Sequence, residues 1–144
     1  MVYLCGHHRA QVARSVALAQ ALWVGAFSQG QQAFLVRDWA RARSFFGSAW
    51  DIVRIRANDG GMGLVSGFDA ERLLDTAEYH AHTLTELGFW HEAQAAALCA
   101  RAHLMDVCAK PMTQENAARM RRLEARGQAL LSVVFGGQWR TAVH

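Results

Sequence analysis

Three short segments repeat along the chain: Arg37-Asp38-Trp39-Ala40-Arg41-Ala42, Gly88-Phe89-Trp90-His91-Glu92-Ala93 and Gly137-Gln138-Trp139-Arg140-Thr141-Ala142. Each holds Trp-x-x-Ala, and the tryptophans at 39, 90 and 139 stand about fifty residues apart. A large aromatic just after a tight turn fills the wedge between two antiparallel helices. Alanine one turn later lets the two backbones approach. The repeat therefore restricts the chain to successive helix pairs, with Trp39, Ala42, Trp90, Ala93, Trp139 and Ala142 as structural positions.

The apolar spacing between these marks agrees. Val12, Val16, Ala19, Leu22, Trp23, Ala26, Gly30, Ala33 and Phe34 recur at three and four, which predicts one stripe on one helix. Trp39, Ala42, Phe46, Ala49, Trp50 and Val53 share a second face, which should fail at Asn58-Asp59-Gly60-Gly61. A loop to about Ser66 follows, and Ser66 with Asp69 forms a start signal for a helix carrying Leu73, Leu74, Ala77, Ala81, Leu84 and Leu87. Gly88 separates it from a helix carrying Trp90, Ala93, Ala97, Ala100, Leu104 and Val107, which Lys110-Pro111 ends. Thr113 can cap a helix from Gln114 to about Phe135, before Gly136-Gly137. No segment alternates with period two, so an all-α fold is expected.

These positions resemble the tetratricopeptide repeat. Its helix pairs carry a small residue in the first helix, an aromatic after the turn, then Ala, an aromatic and Ala in the second. The first unit supplies Gly30, Trp39, Ala42, Phe46 and Ala49; the second supplies Ala81, Gly88, Trp90, Ala93, Ala97 and Ala100, with Ala97 in place of the aromatic. The third keeps Gly137, Trp139 and Ala142, with Leu130 at the small position. The period exceeds that family's about 34 residues, so the resemblance implies elongated hairpins. It implies one domain over residues 1–144, with hairpins at approximately 10–57, 67–108 and 114–144. About five long helices and a short C-terminal one would stack as a right-handed solenoid.

The resemblance further implies a non-enzymatic adaptor or chaperone, without cofactor, that binds a peptide or a partner helix. The groove would be lined by the first helix of each pair: Val24, Phe27, Gln31 and Phe34, then Asp75, Glu78, His82 and Thr85, then Glu124, Leu131 and Val134. An apolar rung beside a rung with two carboxylates and a His suits an amphipathic segment with an apolar anchor and a Lys or Arg. The competing account makes Phe27 and Phe34 simple core residues. The last hairpin is expected to leave an apolar flank open to self-association or another protein.

Composition limits the other classes. With 52% hydrophobic and 19% charged residues among 144, the chain can bury a core without metal or disulfide staples. Three cysteines, at 5, 99 and 108, fit reduced thiols in a cytoplasmic protein. The uncharged stretch Ser15 to Val36 holds an apolar run of only about a dozen residues from Val16 to Phe27, too short to span a bilayer; a signal segment after Arg9 and Arg14 is the other way to read it. A charge of +3 is weak for a nucleic-acid reader, although Arg119, Arg122 and Arg126 share a helix face beside Glu115 and Glu124. That face is either solvated or meets an acidic partner or phosphate.

A chemical reading stands beside the adaptor one: a helical metal- or small-ligand-binding protein using His80, His82 or His103 with Glu78. His80 and His82 are two apart on a helix and point in different directions, so they do not readily share a metal. His7-His8 near Cys5 reads as a surface dipeptide or a terminal metal clip. Gly60-Gly61-Met62-Gly63 lacks the Lys-Ser/Thr of a phosphate loop.

Overall fold

The architecture was read from a computed structural model that describes residues 1–58 and 67–137, the side chains at 67 and 68 excepted. Six helices occur among them: α1 (Gly6–Arg14), α2 (Val16–Leu35), α3 (Trp39–Ala57), α4 (Gly67–Glu86), α5 (Trp90–Cys108) and α6 (Gln114–Gly136). The described residues hold no strand. The apolar stripe that starts at Val12 is split between two helices. Ser15 leaves helical geometry, with φ −131° and ψ 114°, and its side chain accepts from the Leu18 N–H to cap α2. A short helix thus precedes α2, and the Ser66 start signal, Trp139, Ala142 and the expected short C-terminal helix lie outside the described residues. Thr113 caps α6 as its position suggests, accepting from the Asn116 N–H at 3.2 Å.

Each described tryptophan segment follows the same turn. Asp38 N–H donates to Ala33 O and Arg37 N–H to Phe34 O; Phe89 N–H donates to Leu84 O and Gly88 N–H to Thr85 O. These are the paired bonds that close a helix through a left-handed residue. The residue two before each tryptophan has positive φ: 59° at Arg37, 84° at Gly88 and 74° at Gly137. Glycine takes that conformation without strain, whereas Arg37 pays a steric cost for its Cβ.

The packing order follows from which side chains meet. Leu104 lies against Gly127 and Gln94 against the Val134 carbonyl, so α5 and α6 run antiparallel. Trp23 meets Thr76, Phe27 meets Tyr79 and Phe34 meets His82, so α2 and α4 ascend together. Glu71 with Arg119, and Glu78 with Arg126, give the same sense for α4 and α6. Helices α2, α4 and α6 therefore form one row. Behind it α3 and α5 are joined by the Arg43–Glu92 ion pair at 3.0 Å.

The central helix carries most of the burial. Ala70, Leu73, Leu74, Ala77, Ala81 and Leu84 on α4 are fully buried against α5, α6 and Trp50. Its buried hydroxyls bond within the helix: Thr76 donates to Arg72 O at 2.7 Å and Thr83 to Tyr79 O at 2.8 Å. These bonds remove the penalty for burying them. Gly30 lies under the Phe46 ring, where a Cβ would approach its carbons to 2.7 Å. On α6 the close approach falls at Gly127 beneath Leu104, one turn before the buried Leu130.

Candidate functional site

The row of α2, α4 and α6 carries the residues expected to line a groove, and most are occupied by internal contacts. Phe27 stacks on Trp23 with ring centres 4.6 Å apart and meets Tyr79 edge-on. Phe34 is edge-on to Trp39, Tyr79 and His82. Both phenylalanines are partly buried in the angle between α2, α3 and α4. His82 is 7% exposed, stacked on Trp39 and 3.3 Å from Glu86 through Nε2. Thr85 is equally buried and donates to the His82 carbonyl. Gln31 reaches the Tyr79 hydroxyl at 3.5 Å.

The carboxylate rung meets a cation supplied by the chain itself. Arg126 of α6 places Nη2 2.7 Å from Asp75 and 3.0 Å from Glu78, while its Nε donates to the other Glu78 oxygen at 3.2 Å. Burial raises the Glu78 carboxyl above its ordinary value; Arg126 opposes this and Asp75 adds to it. One turn or more earlier, Arg119 pairs with Glu71. Two of the three arginines on the expected basic face are therefore turned onto α4, and Arg122 is exposed. Glu124 is exposed, and Leu131 and Val134 are core.

A second polar cluster sits where α3, α4 and α5 meet the N-terminal segment. The buried Asp51 accepts the Tyr3 and Leu4 N–H groups and pairs with Arg54 at 2.9 Å. The Tyr3 hydroxyl donates to Glu92 and accepts from Arg43 Nε at 3.1 Å. Its ring covers Gly47, where any Cβ would collide with it, and stands edge-on to His80. Partial burial works to raise Glu92, but the bonds from Tyr3 and Arg43 outweigh it and hold the carboxyl below its ordinary range. Burial drives the His80 imidazole down to about 4, so the ring is neutral at pH 7, and its Nδ1 has no hydrogen-bond partner. A cavity of about 80 Å³ lies beside it, lined by Met1, Trp50, Arg54, Glu92 and Cys99 among others. The sequence marks only Asp51, a lone acid inside the apolar run Ala49 to Val53. Nothing in it joins Tyr3 to Glu92, 89 residues further along the chain.

The residues of the chemical reading are dispersed. His80 faces Tyr3 while His82 faces Phe34 and Trp39, so the two rings diverge as their spacing requires. No group of three His, Cys, Asp or Glu able to hold a metal occurs among the described residues. The cysteines are free thiols; burial, then Glu124, pushes Cys108 up to about 11. No described helix is long and apolar enough to cross a membrane.

The outer side of α2 is accessible on the row. Val24 is 54% exposed and Leu35 81%, Val16 and Val36 are also exposed, and no charged residue occurs from Ser15 to Val36. The outer side of α6 carries Arg121, Arg122, Glu124, Gln128 and Ser132, with Phe135 also exposed; the second half of the last hairpin, where an apolar flank is expected, lies outside the described residues. Comparison with family models, curated proteins and solved structures finds no match to this chain.

Proposed function

We propose that this protein is a non-enzymatic interaction module, an adaptor or chaperone of stacked tetratricopeptide-like hairpins, that docks an uncharged helix or peptide along α2. The carrying observation is the outer side of α2: a helix about 30 Å long with no charge and with Val16, Val24 and Leu35 exposed, at the end of the row. Surface helices usually carry a charged face toward solvent, and α4 and α6 supply such charges freely. The two matching turns and the parallel row support the solenoid reading. In such folds the first helix of each pair presents the binding surface.

Phe27 and Glu78 already have internal partners, so the test is placed on the more exposed Val24, with Gln31 at its margin. The test is affinity capture with the wild-type chain beside Val24→Glu, each verified for helicity by circular dichroism. The expected result is one stoichiometric protein retained by wild type and reduced at least tenfold by the variant. Equal retention by both removes α2 as the docking face.

A further inference from the structure

The groove between α5 and α6, on the side away from α4, has a different character from α2. It encloses about 460 Å³ over a floor that includes Leu104, Met105 and Gly127, and both Arg101 and Arg121 line it. That volume is in the range of ligand-holding clefts. Unlike Arg119 and Arg126, these two arginines make no ion pair among the described residues. Glu124 is the one carboxylate on the lining, beside the two arginines. Met105, also on the lining, is 56% exposed.

The register fixes the spacing of the charges. Leu104 faces Gly127 in antiparallel helices. Arg101 stands one turn to one side of that level and Arg121 nearly two turns to the other, about 13 Å apart along the groove at 1.5 Å per residue. With both side chains extended away from each other, the two charges match two separate anionic groups better than one. Two carboxylates some two turns apart on a helix supply such groups, with aliphatic side chains between them over Leu104 and Met105.

We propose that the α5–α6 groove binds an acidic amphipathic helix of a partner protein, its carboxylates on Arg101 and Arg121 and its apolar face on Met105. The site does not depend on the α2 reading, and none of the variants below touches α2. The probe is a fluorescein-labelled helical peptide bearing two Glu two turns apart with two Leu between them, followed by fluorescence anisotropy at moderate salt. Arg101→Glu with Arg121→Glu is expected to weaken binding more than tenfold. Arg122→Glu, an exposed arginine outside the groove lining, should change it less than twofold, and a peptide with Lys for Glu should not bind. Equal weakening by Arg122→Glu, or no saturable binding by the wild type, overturns the proposal. Circular dichroism on each variant separates lost binding from lost fold, and Met105→Gln gives a second, charge-neutral reading that should also weaken binding.

Discussion

The two flanks of α4 do the same structural task with different chemistry. Toward α2 the gap is filled by Trp23, Phe27, Phe34 and Tyr79, with one hydrogen bond from the Trp23 indole to Thr76 at 3.0 Å. Toward α6 it is bridged by Glu71, Asp75 and Glu78 with Arg119 and Arg126. An aromatic wedge gains from area removed from water and from edge-to-face contact, and salt leaves it nearly untouched. Half-exposed ion pairs contribute less and are screened. The comparison teaches that one helix can be held by a salt-insensitive wedge on one side and by screened ion pairs on the other.

The largest expected effect lies on the aromatic side. Phe46 is fully buried against Phe27, Phe34 and Tyr79, so Phe46→Ala should cost about 4 kcal/mol in urea unfolding. A loss under about 1 kcal/mol would mean that the wedge is not packed as described.

Asp51→Ala should follow, at about 3 kcal/mol, because it strands two amide donors and the Arg54 guanidinium around a buried site. Limited proteolysis should then cut the N-terminal segment first; unchanged protection would contradict its anchoring by Asp51.

The third effect is pH-dependent. His80 titrates near 6.5 unfolded but at about 4 in the fold, so the unfolded chain binds more protons between those values. The contribution is intact above pH 6.5 and is lost as pH falls toward 4. From pH 7 to pH 5 the wild type should lose about 2 kcal/mol more than His80→Gln. Parallel pH profiles would place His80 in solvent contact.

The ion-pair side should yield less. Arg126→Met is expected to cost about 1 kcal/mol and to flatten the salt dependence of stability; an undiminished salt dependence would assign it to other charges. The smallest change is a gain: Arg37→Gly relieves a left-handed residue at φ 59° and should add about 0.5–1 kcal/mol.

Much of this was legible in the sequence because it is local. Helix limits at Trp39, Trp90 and Gln114 follow from periodicity, turn residues and the Thr113 cap. Arg37 conceals the first turn because it occupies a glycine position, yet the spacing to Trp39 reveals it. The break at Ser15 was hidden because Val12 and Ala19 continue one apolar spacing across it. The state of the groove residues was not legible. Asp75 and Glu78 look available until α6 brings Arg126 over them, and a Phe at helical spacing looks the same whether it faces a partner or a neighbouring helix. Tyr3 with Glu92 is a contact between distant segments, and no spacing rule records it.

The central claim is that a partner docks along the uncharged side of α2. It is tested most directly by placing a photo-crosslinking residue at Val24 in the full chain, with Ser44, exposed on α3, as the control position. The account predicts a single covalent adduct of defined mass from Val24 and none from Ser44; a mass twice that of the chain would identify the partner as a second copy. Adducts in equal yield from both positions, or from neither, would contradict it.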